Sequence, residues 1–126
     1  MRAWLCLVTV LCGITSAAQA NPAENDAAML RMATDRGCMV CHTILPAAKR
    51  SDGLPPIAPA WRDIAIKYRD DPTAYLRLTR TVMTGSDPRA SHWAGRAGAV
   101  SMPPNASTVT EEEARVLVDW ILVLVP

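Results

Sequence analysis

Five consecutive residues, Cys38-Met39-Val40-Cys41-His42, carry the strongest chemical signal in this 126-residue chain. C-x-x-C-H is the attachment pattern for c-type haem, and each part of it has a physical job. Two thiols three positions apart can add to vinyl groups on neighbouring pyrroles, and the histidine that comes next is carried under the ring to ligate iron. A structural zinc site would need four ligands. The only other histidine is His92, and once Cys6 and Cys12 near the N-terminus are set aside no second cysteine pair remains. A thioredoxin-like redox pair belongs to a βαβ setting that the sequence lacks.

With histidine on one face of an iron, the chemistry depends on what closes the other. The methionines beyond the first twenty residues are Met29, Met32, Met39, Met83 and Met102. Thioethers usually fill cores, and Met29, Met32 and Met83 lie on expected apolar helix faces, while Met39 is inside the attachment turn. Met102 differs, because Ser101-Met102-Pro103-Pro104-Asn105 closes a Gly-rich loop in which two prolines stiffen the chain and hold a thioether in a fixed direction. His92 is the alternative ligand and would give a bis-histidine haem of lower potential. Its place beside Trp93 in a loop reads as solvent-facing.

The elements that must position these groups read as helices and loops. Arg2, the apolar run Ala3 to Ile14 and Ala18-Gln19-Ala20 form a secretory leader cleaved between Ala20 and Asn21. The run is shorter than the roughly 20 residues needed to cross a bilayer. Residues 21–126 then form one domain whose basic and acidic side chains balance at 12 each, with no aromatic-interleaved basic stripe, which excludes nucleic acid as a partner. A first helix capped by Asn25 or Asp26 should stop at Gly37, a residue suited to a left-handed helix end. Residues 43 to 59 hold four prolines and form a loop. A short helix comes next over Ala60 to Arg69, and Asp71-Pro72 opens another with Tyr75, Leu76, Leu78 and Val82 as its apolar surface and Gly85 as its end. Residues 86 to 101 form a second long loop. Thr110 and Glu113 make a capping box for the last helix, whose Ala114, Leu117, Val118, Ile121, Leu122 and Val125 recur at helical spacing. No alternating strand pattern of useful length occurs, so the fold is all-α with three to five short helices. Loops this long fit a small domain only if they wrap something, and a large bound cofactor meets that need.

From Ala28 to about Leu122 the sequence resembles the small class I bacterial cytochromes c, close to the c551/c552 type. The resemblance rests on Gly37 with Cys38-Met39-Val40-Cys41-His42, Pro59 in Ala58-Pro59-Ala60-Trp61, Trp93, Met102-Pro103-Pro104-Asn105, and Val118-Asp119-Trp120-Ile121. It implies one covalent haem c on Cys38 and Cys41, with His42 and Met102 as axial ligands. It also implies that the Pro59 carbonyl accepts the His42 N–H, that Trp93 donates to a haem propionate and that Asn105 supports the methionine loop. A hydrogen-bonded histidine is oriented and made more basic, and a thioether raises the reduction potential. A doubly ligated iron leaves no open position for a small-molecule substrate, so the expected role is single-electron transfer in the periplasm between a redox-protein donor and acceptor rather than enzymatic catalysis. Two rivals are a haem subunit held permanently in a periplasmic oxidoreductase through the apolar tail Ile121 to Pro126, and a five-coordinate haem that binds gases. Two departures from the family pattern stand out. The segments from His42 to Pro59 and from Pro59 to Met102 are longer, and the chain has no Phe, so Met29, Leu30, Met32 and Ala33 must meet the last helix.

Overall fold

The computed structural model describes residues 21–87, 89, 92, 93, 95–97 and 100–124; the expected leader, and Val125 and Pro126, lie outside the described residues. Among the described residues four α-helices succeed one another: α1 (Pro22–Asp35), α2 (Trp61–Tyr68), α3 (Ala74–Thr84) and α4 (Glu111–Leu122), with a 3-10 turn over Cys38–Val40 after α1. No strand occurs among the described residues, as an all-α fold requires.

Helix α1 starts earlier than the apolar pattern suggests. Asn21 is its N-cap, its side-chain oxygen accepting from the Ala23 N–H at 3.2 Å, and Pro22 fills the first helical position. Proline loses nothing there, because the first N–H groups of a helix have no partner. That first turn is exposed and so leaves no trace in the hydrophobic period. Helix α3 starts later than expected. Asp71 does not cap it directly but accepts from the N–H and hydroxyl of Thr73, making a side-chain turn that delays the helix to Ala74. Leu76, expected on the apolar face, is 67% exposed. The inward row is Leu78, Thr81, Val82 and Gly85, at i, i+3, i+4 and i+7, and the threonine hides it from a purely apolar count.

Helix α4 is the central element, packing on α2 and α3 and backed by α1. The capping box is present in full, Thr110 accepting from the Glu113 N–H while Glu113 accepts from the Thr110 N–H. The core joins Met29 and Ala33 of α1, Trp61 of α2 and Leu117, Trp120 and Ile121 of α4, with Leu30 and Met32 packed against it. The meeting of α1 with α4 without a phenylalanine is therefore as expected. Trp61 and Trp120 stand edge to face, with ring centroids 5.6 Å apart at 84°, a favoured aromatic geometry. The Trp120 indole N–H donates to Asp26 at 2.8 Å, which ties α4 to the start of α1. The C-terminal tail divides: Ile121 is buried and Leu124 packs on the core, whereas Val123 is 70% exposed.

Candidate functional site

The attachment turn is built by the end of α1. Gly37 takes φ +77°, a left-handed conformation open to glycine without a Cβ penalty. The chain then winds tightly, the N–H groups of Cys41 and His42 both donating to the Cys38 carbonyl at 3.3 and 3.1 Å. Cys38 and Cys41 are free thiols, both half-buried. Burial pushes the Cys38 thiol up from its ordinary range, so it stays protonated and available as S–H.

His42 lies 2.8 Å from the Pro59 carbonyl through Nδ1. A carbonyl can only accept, so Nδ1 carries the proton and donates. Burial lowers the His42 pKa and outweighs the opposing effect of that hydrogen bond, so the ring is neutral and Nε2 keeps its lone pair. One face of the ring rests 5.8 Å from Trp61, centroid to centroid. The tautomer required of a metal-bound histidine is therefore set by the first residues leading into α2.

These groups open onto a cavity of about 420 Å³. Cys38, Cys41, His42, Pro59, Trp93, Met102 and Asn105, every residue singled out from the sequence, line it together. The size is in the usual range for cofactor sites, and Ile57, Ile64, Leu78, Val82, Val118 and Ile121 supply apolar walls. Met102 is presented by a segment fastened to the end of α3. Asn105 makes much of that fastening: its side-chain N–H groups donate to the carbonyls of Val82 at 3.2 Å and Pro103 at 2.8 Å, and its backbone N–H donates to Val82 as well. Trp93, with Ala58 and Pro59, lines both the cavity and a small crevice that Thr43, Asp63 and Arg96 also border. Lys67 Nζ sits 4.7 Å from its ring centroid.

His92 is exposed as expected, yet it also lines the cavity, with Nδ1 3.3 Å from the Tyr68 hydroxyl. Tyr68, Arg77, Thr81, Gly85 and Ser86 are not among the site residues expected from the sequence, and they also line the wall. Arg77 pairs with Asp71 and lies over the Tyr68 ring. Only the i, i+3, i+4, i+7 spacing of Leu78, Thr81, Val82 and Gly85 could have announced part of this set. The donor set of two thiols, one imidazole with a free Nε2 and one thioether suits a covalently held haem. Among the described residues no three His, Cys, Asp or Glu side chains converge as a zinc site would need.

Comparison with known proteins agrees. No protein-family model matches the chain. Cytochrome c-551 of Allochromatium vinosum is 39% identical over 93 residues, which cover 74% of this chain and 82% of that protein. The chain belongs to the class I c-type cytochromes. Cytochrome c-551 of Pseudomonas aeruginosa is 29% identical over 92% of both chains. The crystal structure of Nitrosomonas europaea cytochrome c552 superposes with a TM-score of 0.58 and 31% identity, covering 75% of this chain and 96% of that one. This cytochrome is accordingly a haem-based electron carrier with one covalent haem c.

Proposed function

We propose that this cytochrome is a periplasmic single-electron carrier, exported with residues 1–20 removed, in which Cys38 and Cys41 hold the haem and His42 and Met102 close the two axial positions. The observation that carries the reading is that Cys38, Cys41, the neutral His42 and Met102 all line one largely apolar cavity. When bound, the haem supplies the one-electron ferric/ferrous couple. The chain tunes and protects it. The Pro59 carbonyl fixes His42 in the ligating tautomer and adds to its basicity. Asn105 holds the Met102 segment against α3. The apolar wall from α3 and α4 would lower the polarity around a bound iron, and a thioether ligand would favour its reduced state. Trp93 lines the cavity, where it would donate its indole N–H to a haem carboxylate. With both axial positions taken by the protein no substrate site is left, so the partners are a redox-protein donor and acceptor.

His92 in the same cavity lining supports a second reading, His/His ligation. Optical spectra of the exported holoprotein decide between them. Methionine-ligated ferric haem has a weak far-red band, which should be present and should vanish in Met102→Ala. A ferric spectrum without that band, unchanged by Met102→Ala and altered by His92→Ala, would replace Met102 with His92.

A further inference from the structure

We propose that Ser86 is the positioning residue that holds Met102 in place as a ligand and so sets how readily the sixth coordination position opens; this rests on the reading of Met102 as the axial ligand. Helix α3 ends at Gly85, where φ is +82°. A Cβ at Gly85 would come within 2.9 Å of the Met102 carbonyl oxygen and 3.0 Å of the Pro104 nitrogen, so the methionine segment runs directly against the helix end and only glycine admits it. Ser86, the next residue, grips Met102 from both sides. Its N–H donates to the Met102 carbonyl at 3.0 Å, and its hydroxyl oxygen accepts from the Met102 N–H at 2.9 Å.

Both main-chain polar groups of Met102 are thus engaged by one residue 16 positions earlier, and Pro103 and Pro104 restrict φ just beyond. A backbone held at both its donor and its acceptor fixes the Cα–Cβ direction, and with it the approach of the thioether. Asn105 anchors the chain on the C-terminal side of Met102, but among these contacts only Ser86 bonds Met102 itself. A thioether is a neutral ligand that must compete with any small base reaching the iron, so the preorganisation of its loop enters the competition directly. In the sequence Ser86 is only the first residue of a loop, since nothing local marks a partner 16 positions on.

The side-chain half of the grip can be removed alone. Titration of the ferric holoprotein with imidazole, read by loss of the far-red band, should show Ser86→Ala binding imidazole about fivefold more tightly than the unsubstituted protein, the factor that corresponds to a net hydrogen bond of about 1 kcal/mol. Ser86→Thr keeps a hydroxyl and should restore the original affinity. Urea midpoints taken in parallel separate positioning from general stability. A lowered midpoint with unchanged imidazole affinity makes Ser86 merely structural and overturns the proposal. Equal gains in affinity for Ser86→Ala and Ser86→Thr overturn it too, because the hydroxyl would not be the active group. If the far-red band survives Met102→Ala, the ligand reading falls and this proposal with it; if the band needs Met102 but imidazole affinity ignores Ser86, only this proposal falls.

Discussion

Glu113 joins two helices with one carboxylate. One oxygen accepts from the Thr110 N–H at 2.9 Å and completes the cap of α4, and the other pairs with Arg36 at 2.5 Å. Arg36 caps the C-terminus of α1, immediately before the glycine that turns the chain into the attachment motif. The hydrogen bond from Arg36, and after it that from the Thr110 backbone, holds the Glu113 carboxyl below the usual carboxylate range. A depressed folded-state value means that the stabilisation is present above the unfolded-state value, about 4.3 for a free Glu, and is lost as pH falls through the lower folded one. Asp71, lowered first by its hydrogen bonds from Thr73 and then by Arg77, titrates in the same sense. The urea midpoint of the holoprotein should therefore drop as pH falls below about 4, and Glu113→Gln should flatten that decline while leaving part of it to Asp71. Parallel curves for the two proteins would show that Glu113 contributes nothing to acid stability. The Thr110–Glu113 half of this arrangement was legible because it spans three residues. The Arg36 half spans 77 and has no local signal.

The last turn of α2 is what places Trp93. Lys67 lies over the Trp93 ring and donates to the His92 carbonyl at 2.7 Å, while Tyr68 meets His92 Nδ1. Lys67 thus ties His92 and Trp93 to a helix, and the Arg96 and Ala97 N–H groups donate to the Trp93 carbonyl. Replacing Lys67 by Met keeps an unbranched apolar stem but removes the cation and the donor. An exposed cation–π contact is worth about 0.5–1 kcal/mol, so amide exchange at Arg96 and Ala97 should quicken several-fold in Lys67→Met, with α4 amides unaffected. Unchanged exchange at those two amides would mean that Lys67 does not hold the segment. Helix α4 was readable end to end because capping, charge and apolar period agree there. Helix α3 was not, because its inward row mixes Thr81 and Gly85 with Leu78 and Val82, a composition that makes sense only once a cavity and the Met102 segment are known to lie against it.

At the scale of the molecule, charge neutrality conceals a separation. Residues 43–101 carry nine Lys and Arg against five Asp and Glu, whereas residues 21–42 and 102–126 carry three against seven. The first set contains α2, α3 and the two long loops that frame the cavity; the second contains α1 and α4. Equal and opposite totals cancel at a distance but not at a surface, where a reagent within about 10 Å at 0.1 M salt feels the nearer set. Arg96, exposed beside Trp93, belongs to the cationic set, and Glu112, exposed at the start of α4, to the anionic one. The haem adds charges of its own, so the informative quantity is the difference between variants rather than an absolute rate. Oxidation of the ferrous protein by ferricyanide at low ionic strength should slow in Arg96→Glu and change far less in Glu112→Lys, although the two substitutions alter net charge by equal amounts of opposite sign. Added salt should shrink the Arg96→Glu effect. If the two variants instead displace the rate equally in opposite directions, net charge alone governs encounter and the separation has no bearing on electron exchange. A dominant Arg96 effect places encounter on the face where the segment after His42 meets Trp93 and Arg96.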